Sequence, residues 1–288
     1  MEATTAILFP GQGVGDESAR ALVAHHRPDL LELATELIGE DPFESIGEGT
    51  RYAQPSVYCA SIAGYELLGR PRAEYFAGHS LGDIGALAAS GAIEDADGLR
   101  IVVERGISME EAARAQPRGA MLAVGTDRRR AEALAGTHGL EVANENSPVQ
   151  FVLSGSLSGI EAAEADAKQA NLRAKRLAIS GAFHTEAMRP AVAPFRAALE
   201  KVEFRHASAR TISSTTGRFF AGDVREVLAA ALCKSVRWLS VMRMLRDLGA
   251  NRYLDVGPGK VLARLVSKTI TDAEVEVETA ASRESALA

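Results

Sequence analysis

The chain has 288 residues and a formal charge of −6, from 32 basic and 38 acidic side chains, which gives no general attraction to nucleic acid or to an anionic membrane. Hydrophobic residues at 47% and charged residues at 24% suit a folded core, and the length suits one large domain or a large domain carrying a small insert. The two cysteines, Cys59 and Cys233, lie far apart without metal-ligand spacing, so neither a disulfide framework nor a metal site is expected.

The start, MEATTAILFPGQG, lacks the basic residues and longer apolar core of a signal peptide. Thr5–Phe9 is an apolar run closed by Pro10-Gly11 and reads as a buried strand entering a glycine loop. Leu22–Leu37 has helical spacing, and a second helix is predicted over Val57–Leu68 with Pro55 in its first turn. AEYFAG reads as a short strand, Leu81–Ala92 as a helix rich in small residues, and Asp95–Ala115 as a longer helix. The stretch Ile84–Ile93 is interrupted by glycine and too short to span a bilayer. A soluble cytoplasmic protein is therefore expected, with no role at a membrane.

After AQPRG the pattern becomes strand (AMLAVGT), helix (DRRRAEALAGTHG), two strands around Asn-Ser-Pro (LEVANENSPVQFVLSGS), helix (LSGIEAAEADAKQANL) and strand (RAKRLAIS). This βαββαβ order over Gly119–Ser180 is that of a ferredoxin-like unit. The expected organisation is a body of residues 1–117 and 182–288 with a small domain, 118–181, inserted in it. Helices, a strand RYLDV and a glycine turn GPGK opening a further helix complete the body.

GHSLG, Gly78 to Gly82, fits the G-x-S-x-G pattern in which glycines flank a serine on a tight strand-to-helix turn. Ser80 is then either a nucleophile at a helix N-terminus or a turn serine. A nucleophilic serine needs a base, for which the sequence offers six histidines. His25, His26, His138 and His206 sit among polar residues and are expected at the surface. His79 adjoins Ser80 and is expected to point away from it, lining the pocket. His184, in SGAFHTEAM where the chain returns to the body, is the strongest candidate. FPGQGVG lacks dinucleotide-fingerprint spacing, and its loop can instead present backbone N–H groups to an oxyanion. Arg105 lies on an otherwise apolar helix face, so its guanidinium calls for either a structural salt bridge or a substrate carboxylate.

Taken in order, FPGQG, GHSLG, RGISM, NSP, GAFH and DVGPGKVL resemble the malonyl-CoA:acyl carrier protein transacylases and the acyltransferase domains of polyketide synthases, across nearly the whole chain. The resemblance implies an α/β fold, an α/β-hydrolase-like large domain with an inserted ferredoxin-like small domain. It also implies Ser80 as nucleophile, His184 as general base, and the backbone N–H groups of Gln12 and Leu81 as oxyanion hole. Arg105 falls on the position that pairs with the malonyl carboxylate, and His79, Gln54, Met109, Asn146 and Phe183 on pocket positions. Ala-Phe-His resembles the version associated with malonyl. No permanently bound cofactor is implied; acyl-CoA and the phosphopantetheine of an acyl carrier protein are the substrates. The implied activity is ping-pong transfer of malonyl for fatty acid or polyketide assembly. Alternatives are transfer of another acyl group between carrier proteins, or hydrolysis of an acyl thioester.

The chain departs from the family pattern at Val14-Gly15, at Glu110, which could pair with Arg105, and at Ala231, which stands where a glutamine carbonyl often orients the histidine. Basic residues Arg128–Arg130 and Lys168–Arg176 offer either a docking face for an acidic carrier protein or a solvated helix surface.

Overall fold

A computed structural model describes residues 3–12, 17–115, 118–179, 181–206, 210–271 and 274–287. The residues Gly13, Val14 and Gly15 of the first glycine loop, Gln116 and Pro117 before the expected insert, and Ser180 at its expected end lie outside them.

Strand β1 (Thr5–Phe9) is buried along its whole length. The helical run after it is divided into α1 (Glu17–His26) and α2 (Pro28–Ile38). Pro28 supplies no N–H and displaces Arg27 from helical geometry, to φ −143° and ψ 57°. Helix α3 (Thr50–Leu67) begins at Thr50 rather than Val57, so Pro55 sits inside the helix and not in its first turn. Then come β2 (Tyr75–Gly78), α4 (Gly82–Ala89) and α5 (Asp95–Arg114), close to the expected limits.

The insert contains β3 (Gly119–Gly125), α6 (Arg128–Thr137), β4 (Glu141–Ser147), β5 (Gln150–Ser156), α7 (Leu157–Gln169) and β6 (Arg173–Arg176). Its sheet has the order β4-β5-β3-β6 and is antiparallel throughout, which is ferredoxin-like topology. The alternation of its strands serves two cores. Leu122, Val124, Phe151 and Leu153 pack with Ala131 and Ile160 of α6 and α7, while Met121, Ala143 and Val152 face the core of the body. Strand β6 ends at Arg176, short of the expected limit.

The body resumes with α8 (Arg189–Leu199), β7 (Arg210–Ser213), β8 (Arg218–Phe219), α9 (Val224–Ala231), α10 (Trp238–Asp247), β9 (Arg252–Asp255), α11 (Val261–Thr269), β10 (Glu276–Thr279) and α12 (Ala280–Leu287). Strands β7, β8 and β10 were not expected, because RTIS, RF and EVET are short and carry polar or charged residues. The large sheet runs β10-β9-β1-β2-β7-β8, with parallel pairing except between β7 and β8. From β1 the chain reaches neighbours on both sides, and in open α/β sheets ligands bind beyond the carboxyl ends of strands at such a point. There lie Pro10–Gln12 after β1 and His79–Ser80 after β2.

Candidate active site

The turn between β2 and α4 is built around two glycines. A Cβ at Gly78 would lie 1.8 Å from the Gly82 carbonyl carbon, and one at Gly82 would lie 2.0 Å from the Phe9 carbonyl oxygen. Both contacts are with main chain, so no rotamer change relieves them, and the turn closes only with glycine at each position. Ser80, between them, has φ +56°, a left-handed conformation that a serine holds only when its surroundings enforce it.

The backbone bonds of this elbow are accounted for one by one. Gly82, Asp83 and Ile84 donate to the carbonyls of His79, Ser80 and Leu81, at 3.0, 3.1 and 3.0 Å. The Ser80 N–H donates to Ser214 Oγ at 3.1 Å. Among the described residues, the Leu81 N–H is the elbow amide left without an acceptor, at the start of α4. Its position there suits a developing negative charge.

His184 is brought to Ser80 from the far side of the insert, with Ser80 Oγ and His184 Nε2 2.8 Å apart. His184 Nδ1 lies 3.0 Å from the Ala231 carbonyl and 3.1 Å from that of Lys234. Carbonyls only accept, so Nδ1 carries the proton, Nε2 is the acceptor, and the Ser80 hydroxyl donates to it. The Ala231 carbonyl thus does what the sequence reading required of it, whatever the side chain at that position. Burial and then the nearby Arg105 charge push the His184 pKa down to about 3, so the ring is neutral at ordinary pH. His184 also has a positive φ, +62°.

Arg105 is buried, 4% exposed, and a line of hydrogen bonds extends from it. One terminal nitrogen donates to Ser80 Oγ at 3.1 Å and the other to Gln54 Oε1 at 2.6 Å. Gln54 Nε2 in turn donates to Thr50 Oγ1 at 2.9 Å and contacts Met109 Sδ at 3.4 Å, and Thr50 Oγ1 donates to Gln12 Oε1 at 2.5 Å. The alternative of a structural salt bridge is not what the structure shows: among the described residues Arg105 forms no ion pair. Nor does Glu110 compete for it. That carboxylate pairs with Arg51 at 2.9 Å and Arg114 at 2.7 Å. Arg105 therefore stands charged beside Ser80 without an anionic partner in contact, although burial lowers its pKa to about 10.

Among the described residues, His79 makes no hydrogen bond to Ser80 or His184. Its Nε2 lies 2.8 Å from Asn146 Oδ1, its ring packs against Trp238 at a centroid distance of 5.6 Å, and burial lowers its pKa. Phe183 is buried next to His184 and lines, with Gln12, Thr50, Glu110, Arg118 and Arg176, a cleft of about 530 Å³. A larger cavity, about 790 Å³, lined by Phe204, Arg210 and Arg225 among others, shares no residue with this site. His25 and His206 are exposed and His26 and His138 half-buried, as expected of surface histidines. Sequence reasoning missed Thr50, Asp83, Ser214, Trp238 and the Lys234 carbonyl. Asp83 alone carried a signal, as a charged residue in the small-residue helix after the elbow. Among the described residues, no group of His, Cys, Asp and Glu side chains could hold a metal ion.

Residues 31–284 match the family model described as the acyl transferase domain. The polyketide biosynthesis protein ThaF of Burkholderia thailandensis is 33% identical over 283 residues, which are 92% of this chain, and the chain spans only 24% of that protein's length. The polyketide biosynthesis malonyl CoA-acyl carrier protein transacylase BaeC of Bacillus velezensis is 32% identical over 281 residues, covering 93% of this chain and 97% of that one. The crystal structure of malonyl CoA-acyl carrier protein transacylase from Burkholderia pseudomallei superposes with a TM-score of 0.87 at 30% identity, over 95% of this chain and 100% of that one.

Proposed function

The chain belongs to the acyl transferase domain family, and we propose that it moves a malonyl group from coenzyme A to the phosphopantetheine thiol of an acyl carrier protein, in the cytoplasm, for fatty acid or polyketide synthesis. The observation that carries this reading is the triangle of Ser80, His184 and Arg105: a hydroxyl bonded to a neutral histidine, with a buried guanidinium beside it that has no ion-pair partner among the described residues.

In the first half-reaction Ser80 Oγ attacks the thioester carbonyl as its proton passes to His184 Nε2. The N–H groups of Leu81 and Gln12 hold the tetrahedral oxyanion. Collapse breaks the carbon–sulfur bond, and the coenzyme thiolate leaves with the proton from His184. The carrier thiol then gives its proton to His184 and attacks the malonyl ester, restoring Ser80. The malonyl carboxylate takes the Arg105 fork, which Gln54 and Thr50 orient and Met109 and Phe183 border. This binds a dicarboxylic acyl group in preference to acetyl. His79, fixed by Asn146, closes the pocket wall. The same reading divides the chain into a body, 1–117 and 182–288, and an inserted domain, 118–181.

The test is to mix the protein with malonyl-CoA or acetyl-CoA, follow the enzyme's intact mass, and then add carrier protein. Malonyl adduct that discharges onto carrier protein is expected from the wild type and none from Ser80→Ala. Arg105→Ala is expected to lower malonyl loading roughly 100-fold while acetyl loading changes far less. Equal loss of both would remove Arg105 from carboxylate recognition, release of free malonate in place of transfer would make the protein a hydrolase, and transfer only from one carrier protein to another would move the donor away from coenzyme A.

A further inference from the structure

We propose that Asp83 and Ser214 are positioning residues that clamp the Ser80 peptide and hold its side chain on line with His184. The proposal rests on the reading of Ser80 as nucleophile, but not on which acyl group it carries.

Both ends of the Ser80 residue are held. Its N–H donates to Ser214 Oγ at 3.1 Å, and its carbonyl accepts from the Asp83 N–H at 3.1 Å. The Asp83 side chain then returns to Ser214: Oδ1 and Oδ2 each accept from the Ser214 N–H at 3.1 Å, and Oδ2 also accepts from its hydroxyl at 3.1 Å. Asp83 and Ser214 are each 1% exposed, so water does not replace these bonds. Ser214 follows β7, the strand beside β2, so the clamp joins the ends of adjacent strands across the nucleophile turn.

Two consequences follow. A left-handed serine relaxes unless the structure around it holds it there, and the clamp supplies that constraint independently of the flanking glycines. The Ser80 amide is also consumed by Ser214, so it does not serve the oxyanion, which falls to the residue after the nucleophile and to the Gln12 loop. Burial raises the Asp83 carboxyl to about 8, against the Ser214 donors and the nearby Arg105 charge, which lower it.

The test uses a serine-reactive fluorophosphonate, which forms an oxygen–phosphorus bond at Ser80 with loss of fluoride, alongside malonyl-CoA loading. Ser214→Ala is expected to slow both reactions about 30-fold with malonyl-CoA KM within about 2-fold of wild type, since a displacement near 1 Å costs up to about 100-fold. Ser214→Thr, which keeps the hydroxyl, is expected to recover most of the rate. Phosphonylation of Ser214→Ala within 2-fold of wild type would overturn the clamp, as would a loss that the threonine variant shares while remaining folded. Should Ser214→Ala not fold, Asp83→Asn, which keeps one acceptor, is read against Asp83→Leu: a graded loss of phosphonylation supports the clamp and equal rates overturn it. Wild-type protein that reacts with the fluorophosphonate but never with malonyl-CoA would overturn the function above and leave the clamp standing.

Discussion

A histidine that is to take a proton from serine, the role proposed for His184, has to be neutral beforehand, and Arg105 helps to keep it so. Burial is the larger cause and the guanidinium the second, together holding His184 at about 3. Loading of Ser80 is therefore expected to show no acid limb near 6.5, the ordinary histidine value. In Arg105→Ala the removed positive charge lets imidazolium form more easily, so an acid limb moves upward in pH; a profile identical to wild type would show that the two groups are not coupled. Asp83 gives the opposite sign in stability. Its folded pKa is about 8 against 3.8 for the free side chain, so its contribution to stability is full below about 4 and is lost as pH rises toward 8. Asp83→Asn carries no such titration and is expected to gain on the wild type in thermal unfolding temperature between about pH 5 and pH 8.5. A constant difference between the two proteins across that range would contradict a buried, titrating Asp83.

At the scale of elements, α3 shows how close approach replaces side-chain packing. A Cβ at Gly64 would lie 2.1 Å from the Val256 carbonyl oxygen and 3.1 Å from Ala280 Cβ, so this helix sits directly on the loop after β9. Gly64→Ala is expected to cost about 3 kcal/mol in urea unfolding, in the range of overpacked cores, with the helix propensity of alanine offsetting about 1 kcal/mol at most. A gain in stability would mean that the loop can withdraw. The same helix marks what was legible in the sequence. Its apolar periodicity from Val57 onward was plain, but its first turns, RYAQP after Thr50, lack that pattern, and Pro55 argued for a start where none occurs. Thr50 was lost with those turns. The meeting of Ser80 with His184 was legible because a serine proposed as nucleophile calls for a histidine and because glycines frame the elbow. Asp83 stood out only as a charge in a small-residue helix, and its link to Ser214 was not legible, since Ser214 follows a four-residue strand read as loop and a serine–aspartate pair has no spacing of its own.

Across the whole molecule, the site belongs to neither the body nor the insert alone. Strand β4 of the insert is tied to the segment after α9: Val236 N–H donates to the Ala143 carbonyl at 2.8 Å, Glu145 N–H to the Val236 carbonyl at 2.8 Å, and Ser235 Oγ to the Val142 carbonyl at 2.5 Å. Just before this segment lie the Ala231 and Lys234 carbonyls that orient His184, so the insert buttresses the segment that holds this ring. It also sends Asn146 to His79. The surface tells against a simple electrostatic role for the insert. Arg128 pairs with Glu132 and Glu145 and Arg176 with Glu161 and Glu164, so part of its basic stretch is neutralised within the insert itself. The insert also contributes geometrically, and Asn146 is where this can be measured. Asn146→Ala leaves the ring nitrogen of the half-buried His79 without its partner and opens space beside the pocket, at a cost of about 1 kcal/mol for the unsatisfied group. Because His79 adjoins Ser80 in the strained elbow, transfer to carrier protein is expected to fall about 10-fold, through kcat, with far-UV circular dichroism unchanged. A fall confined to the KM for carrier protein would instead place Asn146 on a docking surface and separate the insert from the chemistry.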